Sequence, residues 1–194
     1  MILDPDRLFK ILSNERFLSM EGLSGEEAIF IQTYDVADED RVSAMLKSLA
    51  IRLRNFGINV AEVDLFRLFL DELQEEGVLE DFLSDESTFD RKELFGDLKN
   101  FADPKSRMAP RLLRVMEKSG APITLLSGAG HIFPFLRAHT LLDSTQEAEL
   151  KHPAVLFFPG EYIQVPGKGS QLRLFGSMPS DGYYRARNLD HYRI

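Results

Sequence analysis

Residues 28–63, AIFIQTYDVADEDRVSAMLKSLAIRLRNFGINVAEV, hold two short apolar runs on either side of an amphipathic segment. The runs at 28–34 and 58–63 are rich in β-branched or aromatic residues, which predicts strands. Between them, apolar side chains from Val42 to Phe56 recur every three or four residues, and Gly57 follows. This spacing predicts a helix that ends at the glycine. Strand, helix and strand in this order are typical of a parallel α/β sheet with right-handed crossovers.

The same alternation continues along the rest of the chain. Residues 122–127 (PITLLS) and 154–158 (AVLFF) are further predicted strands, and the unbroken apolar run of the second is typical of a strand buried on both faces. We expect 172–175 to return as an edge hairpin and 183–188 to form one more edge strand. A helix is predicted from about residue 134 to about residue 142.

Residues 65–121 show helical spacing in several pieces, more than one crossover helix requires. We interpret this segment as a helical excursion over the sheet. The chain has no internal repeat and no low-complexity linker. The sequence therefore predicts one α/β domain over residues 1–194. Its expected core is a three-layer, mostly parallel sheet of about five strands with helices on both faces.

Composition excludes several classes of protein. The 194 residues include no cysteine, which excludes disulfides, thiolate nucleophiles and iron–sulfur clusters. The N-terminus lacks the pattern of a secretory signal, and no run of about 18 apolar residues occurs, so a cytoplasmic location without membrane contact is expected. The net charge of −8 argues against DNA binding by this chain alone. Charge is uneven, because residues 162–194 form a basic C-terminal edge of net charge +3 while the first 161 carry −11.

The ends of the predicted strands suggest a possible ligand edge, because the carboxyl ends of parallel strands meet at one side of a sheet. The residues expected there are Asp35, Asp64, Gly128, Gly130 and His131, with Glu161 after the fourth strand. Each has a structural alternative. The two aspartates are well placed to cap helices rather than to serve acid–base or magnesium chemistry. The Gly128-Ala129-Gly130 turn serves close strand-to-helix packing or contact with an anion.

Catalytic and cofactor motifs are missing from the sequence. Residues 167–170 (GKGS) resemble part of the phosphate-binding pattern G-x-x-x-x-G-K-[ST], but they lack its first glycine and its hydroxyl residue. None of the four histidines belongs to an H-E-x-x-H motif, and Ser127 lacks the glycines of a nucleophile elbow. We predict no catalytic residue, no metal site and no cofactor, and we expect the histidines to be buried and hydrogen-bonded.

The segment Tyr183-Tyr184-Arg185-Ala186-Arg187 interleaves aromatic and basic side chains. In a strand, Tyr183, Arg185 and Arg187 would share one face. Such a face could bind single-stranded nucleic acid by stacking and charge neutralisation. Packing or a protein interface is the favoured interpretation, because tyrosine and arginine are common interface anchors.

Four motifs in the C-terminal third carry a family resemblance. They are Phe133-Pro134-Phe135-Leu136-Arg137-Ala138-His139, Leu156-Phe157-Phe158-Pro159-Gly160-Glu161-Tyr162, Leu172-Arg173-Leu174-Phe175-Gly176 and Tyr183-Tyr184-Arg185-Ala186. In this order and spacing they resemble the BrxB family of bacterial BREX phage-defence systems.

The resemblance implies an accessory protein without an established catalytic activity. Such a protein is needed for phage exclusion alongside a PglZ-type phosphatase-like protein, a PglX-type adenine methyltransferase and a BrxC-type ATPase. The resemblance also implies a P-loop-type α/β core without a phosphate loop, in agreement with the missing motif.

We therefore expect an adaptor that binds another BREX protein, first a PglZ-like one, then a PglX-like methyltransferase or a BrxC-like ATPase. The residues expected at that interface are Arg137, His139, Glu161, Tyr162, Arg173, Tyr183, Tyr184 and Arg185. Alternatively, Arg137 and Glu161 form a buried structural pair, and Phe135 and Phe158 belong to the core. Two further hypotheses stay open: a nucleotide or nucleic acid bound at the glycine-turn edge, and a metal-dependent hydrolase that uses Asp35, Asp64 and Glu161.

Overall fold

The computed structural model describes residues 3–21, 28–84, 90–146, 148, 150–165, 169–178 and 186–193. The helices are α1 (Pro5–Leu12), α2 (Glu15–Leu18), α3 (Glu39–Asn55), α4 (Leu65–Glu75), α5 (Leu79–Ser84), α6 (Arg91–Phe101), α7 (Ala109–Ser119), α8 (Ala129–Ile132) and α9 (Ala138–Gln146). The strands are β1 (Ile29–Tyr34), β2 (Ala61–Asp64), β3 (Thr124–Ser127), β4 (Ala154–Val165), β5 (Gly169–Leu174) and β6 (Arg187–Asn188). Short helical turns cover Val36–Asp38, Pro104–Met108 and Leu189–His191.

The sheet has the order β2-β3-β4-β1-β6, and every neighbouring pair in this row is parallel. The prediction of a mostly parallel α/β sheet is confirmed. The connection from β1 through α3 to β2 crosses over two strands, because β3 and β4 later fill the space between them. Strand β5 pairs antiparallel with the distal half of β4, as the expected hairpin requires.

Both faces of the sheet are buried, which confirms the three layers. Along β4, Val155 and Phe157 pack on one side with residues of α1 and α3, such as Leu8 and Leu49. Leu156 and Phe158 pack on the other side with residues of α4, α7 and α9, such as Phe69, Leu112 and Leu141. The apolar run at 154–158 is therefore continuous because both of its faces are covered.

The helical excursion predicted at 65–121 is present as α4 to α7. Helices α5 and α6 contain no buried residue within their described ranges. Aromatic contacts hold this layer to the core: the ring of Phe135 lies 5.6 Å from that of Phe69 and 5.8 Å from that of Phe95. No helix in the described residues is long and apolar enough to cross a membrane.

Some predicted boundaries are wrong. The helix expected from residue 134 begins at Ala138, because residues 133–135 form a turn in which Phe133, before a proline, is extended. Strand β4 continues to Val165, well beyond the predicted end at 158. Of the predicted edge strand at 183–188, residues 183–185 lie outside the described residues. Arg187–Asn188 form β6, which pairs with β1.

Candidate functional site

The two aspartates at the carboxyl edge of the sheet are helix caps. The Asp35 side chain accepts a 2.9 Å hydrogen bond from the backbone N–H of Ala37, and Asp64 accepts one of 2.9 Å from the backbone N–H of Arg67. These bonds satisfy donors that a helix start leaves unpaired. Among the described residues, no group of three carboxylate or histidine side chains could hold a metal ion. The hydrolase hypothesis built on Asp35, Asp64 and Glu161 is therefore wrong.

The glycine turn after β3 serves close packing. Gly128 has φ +77°, and a Cβ on it would lie 2.6 Å from Oδ1 of Asp64. A Cβ on Gly130 would lie 3.0 Å from Pro159 and 3.1 Å from the Phe175 ring. Protein atoms thus lie beside both glycines, which supports the packing interpretation. A nucleotide bound at this turn stays a prediction, and His131 beside the turn is exposed.

Tyr34, at the end of β1, is a buried group of this edge that sequence reasoning missed. Its hydroxyl donates a 2.7 Å hydrogen bond to Oε2 of Glu39. Burial, the bond to Glu39 and the nearby charges of Glu39 and Asp64 raise the pKa of Tyr34 well above its usual range. The phenol therefore remains a proton donor that joins β1 to the start of α3. The aromatic end of the run AIFIQTY was the only sequence signal for it.

Three of the four family motifs meet at the same edge. The ring of Phe175 lies 6.1 Å from the ring of Phe133, and its backbone N–H donates a 2.9 Å bond to the carbonyl oxygen of Pro159. Gly130 packs between Pro159 and Phe175. We call the surface formed by residues 133–139, 159–162 and 173–176 the motif face. These segments are distant in sequence, and the β4–β5 hairpin brings them together.

Gly160 is the point where β4 leaves the parallel sheet and enters the hairpin. Its predecessor Pro159 pairs with Tyr34 of β1, whereas Gly160 itself pairs with Leu174 of β5. Gly160 has φ +155°, and a Cβ on it would overlap the carbonyl oxygen of Arg173. Only glycine fits this close approach of two backbones.

Glu161 and Arg173 form the polar centre of the motif face. They are direct cross-strand partners, and their charged groups are 3.5 Å apart with 57% and 44% of the side chains exposed. The burial expected in the alternative of an Arg137–Glu161 pair is not found for Glu161, which is exposed and forms an ion pair with Arg173 on the hairpin. Arg137 is half-buried where α9 begins, and its carbonyl oxygen accepts a 2.8 Å bond from the hydroxyl of Thr140.

The remaining predicted interface residues have different positions. His139 is half-buried on α9, one turn before Asp143. Burial raises the pKa of Asp143, and the nearby His139 opposes this shift.

The hydroxyl of Tyr162 donates a 3.2 Å bond to the carbonyl oxygen of Ala186. Tyr183, Tyr184 and Arg185 lie outside the described residues. Phe158 is buried as expected, whereas Phe135 is only half-buried against the core.

A cavity of about 620 Å³ lies at the opposite, amino-terminal edge of the sheet. Its walls come from the end of α7 and the segments that enter β3 and β4, with Met116, Ala121 and Leu150 among the apolar residues and His152 at the side. The Nε2 atom of His152 is 3.1 Å from Oγ1 of the buried Thr124. His152 is therefore hydrogen-bonded but only half-buried, and the prediction of buried histidines is wrong for His131 and His191, which are exposed.

Acidification is expected to weaken the fold through His152. Burial lowers the pKa of His152 below its ordinary value of about 6.5, so the unfolded chain takes up the proton first as the pH falls. The free energy of unfolding should be fully maintained above about pH 6.5 and should decrease as the pH falls through the lowered pKa. Urea unfolding at several pH values should show this slope in the wild type and a smaller one in His152→Gln. An equal loss of slope in His191→Gln, at an exposed imidazole, would contradict a specific role of His152.

Comparison with known proteins gives a consistent relationship. The model of a protein family described as "BREX protein BrxB" matches residues 61–189. A BREX protein BrxB of Bacillus cereus (strain H3081.97) is 30% identical over 194 residues, which cover 95% of this chain and 94% of the relative. A BREX protein BrxB of Escherichia coli O9:H4 (strain HS) is 26% identical over 182 residues, which cover 92% of this chain and 86% of the relative. No solved structure matches the chain significantly.

Proposed function

The chain belongs to the BrxB family, and on this basis we propose that it is a non-catalytic adaptor of a BREX phage-defence system that binds another protein of that system. A PglZ-like protein is the first proposed partner, followed by a PglX-like methyltransferase and a BrxC-like ATPase. Through this complex the adaptor would support host DNA modification or phage exclusion in the cytoplasm.

The convergence of the motifs on one surface is the observation that carries this proposal. The apolar members of the motifs pack inward, and Leu136, Phe158 and Leu172 are buried. The charged pair Glu161–Arg173 remains largely exposed at the centre of the same surface. The buried apolar members hold this surface in place, and the exposed Glu161–Arg173 pair is available to charged groups of another protein, which favours specific recognition.

The chemistry of the carboxyl edge supports an adaptor over an enzyme. Oδ1 of Asp35 and Oδ1 of Asp64 each accept a capping bond from the backbone, and side chains pack beside the glycines of the turn. Both relatives carry the name "BREX protein BrxB", which names no reaction.

Co-purification with the products of the neighbouring genes tests the proposal. We expect the tagged chain to capture a PglZ-like partner at low salt, and retention of the partner at about 0.5 M salt would indicate apolar contacts beside the charged pair, since such contacts resist screening. Arg173→Glu should abolish the capture because it reverses the charge at the centre of the motif face. Arg16→Glu, which reverses an exposed arginine paired with Glu21 elsewhere, should leave the capture intact. Elution of the tagged chain alone at both salt concentrations would overturn the proposal.

The swapped variant Glu161→Arg/Arg173→Glu separates recognition from a purely structural role. It keeps an ion pair between opposite positions of the hairpin but inverts the charges that a partner meets. If the pair contacts the partner, capture stays lost in the swapped variant. Recovery of capture would assign the pair to hairpin stability instead and would contradict its role at the interface.

A further inference from the structure

A second, smaller cavity lies at the other margin of the sheet, between Tyr162 and the C-terminal segment. Its volume is about 360 Å³, and its described lining consists of Tyr162, Ala186, Arg187, Asn188, His191, Tyr192 and Arg193. We infer that this cationic pocket binds a phosphate monoester of about nucleotide size. The inference goes beyond the adaptor role and does not depend on it.

The walls of the cationic pocket are held in place by the core. Leu189 is fully buried, and its carbonyl oxygen accepts a 2.6 Å bond from the guanidinium of Arg7. The ring of Tyr192 lies 5.3 Å from that of Phe17 and 5.9 Å from that of Phe30. Because these contacts within the chain tie the walls of the pocket to the core, binding would require little ordering of the chain, which favours affinity.

The charge of the pocket is positive in an otherwise acidic chain. Arg187, His191 and Arg193 line it, and no carboxylate occurs among its described lining residues. The one acidic residue of the segment 186–193 is Asp190, whose Oδ1 accepts a 2.9 Å bond from Nε2 of Gln32 and lies 3.9 Å from Arg7. Its negative charge is thus engaged elsewhere, and the lining favours an anion.

The number of cationic groups indicates the class of anion. The two guanidinium groups suit a dianion with three acceptor oxygens better than a single carboxylate, which one arginine fork can satisfy, and the imidazole of His191 adds a hydrogen-bonding group. A phosphate monoester is largely a dianion at neutral pH, since its second pKa is about 6. Tyr162 and Tyr192 add apolar ring surface for the organic part of the ligand. A long duplex is disfavoured, because the first 161 residues carry a net charge of −11.

Titration calorimetry of the full chain with adenosine monophosphate tests the inference. We expect saturable binding of the monophosphate, and no binding of adenosine, which lacks the charge. Arg193→Gln and Arg187→Gln should each weaken the binding by about tenfold or more. Arg114→Gln removes the same charge from an exposed position on α7 and should leave the affinity unchanged.

Additional ligands in the same experiment identify the source of the phosphate. Preference for a 5′-phosphorylated oligonucleotide over its unphosphorylated form would identify a nucleic-acid end, and preference for the free monophosphate would identify a nucleotide. Either result supports the site. No binding at about 1 mM ligand, equal binding of acetate, or undiminished binding by both arginine variants would overturn it. Melting curves of each variant verify that a loss of binding does not reflect unfolding, and the two arginines provide independent variants.

Discussion

Replacement of Gly160 by alanine is expected to lower the free energy of unfolding by roughly 3 kcal/mol or more. The new Cβ would overlap the carbonyl oxygen of Arg173, and neither backbone can move without breaking the pairing of β4 with β5. Because the hairpin supports the motif face, capture of a partner should be lost as well. Urea unfolding measures the first effect, and co-purification with the neighbouring-gene products measures the second.

Gly96→Ala is the matched control for this substitution. Gly96 lies inside α6, and a Cβ there would meet no atom within 4 Å. The change should therefore stabilise the chain by about 0.5–1 kcal/mol, since alanine loses less backbone entropy in a helix. If the Gly160→Ala protein is as stable as the wild type, the close approach of the Gly160 backbone to the carbonyl oxygen of Arg173 is contradicted.

Substitution of Arg111 by methionine is expected to destabilise the fold by roughly 3 kcal/mol. Arg111 and Glu72 lie between α7 and α4 with 9% of each side chain exposed, and Nη1 of Arg111 donates a 3.0 Å bond to Glu72. Removal of the guanidinium leaves the Glu72 carboxylate poorly solvated, with Arg107 at 2.9 Å as its other partner. Such a loss is costly because the remaining charge cannot recover its hydration. Urea unfolding gives the difference in free energy.

The double variant Glu72→Gln/Arg111→Met tests whether the cost comes from the unpaired charge. It should lose less stability than the sum of the two single variants, as expected for residues in direct contact. Arg67→Met is the control, because Arg67 forms an exposed pair with Asp71 at 3.0 Å on the same helix. That pair should contribute less than about 1 kcal/mol. Equal costs for Arg67→Met and Arg111→Met would contradict the role assigned to burial.

Local chemistry was predictable from the sequence. Asp35 and Asp64 bond to backbone groups two and three residues ahead, so their capping role depends only on neighbours in the chain. The two buried faces of β4 were also predictable, since an uninterrupted apolar run needs cover on both sides.

The boundaries of the candidate site were less predictable. The length of β4 depends on β5, which continues the pairing of β4 after Pro159 has left the parallel sheet. The apolar run at 154–158 cannot predict this extension, because the pairing beyond Pro159 is made with β5 and not with the parallel strands. The pairing of Glu161 with Arg173 has the same origin, since it requires the hairpin register.

The sequence by itself determined the alternation of strands and helices, the three layers, the caps and the membership in the BrxB family. The structural features follow from periodicity and from contacts within a few residues, whereas the membership follows from similarity to known BrxB sequences. Only the tertiary structure decided the strand order, the convergence of three motifs on one face, the buried contact between Glu72 and Arg111, which lie 39 residues apart, and the cationic pocket. Each of these depends on segments distant along the chain, whose pairing is selected by the burial and packing of the whole core.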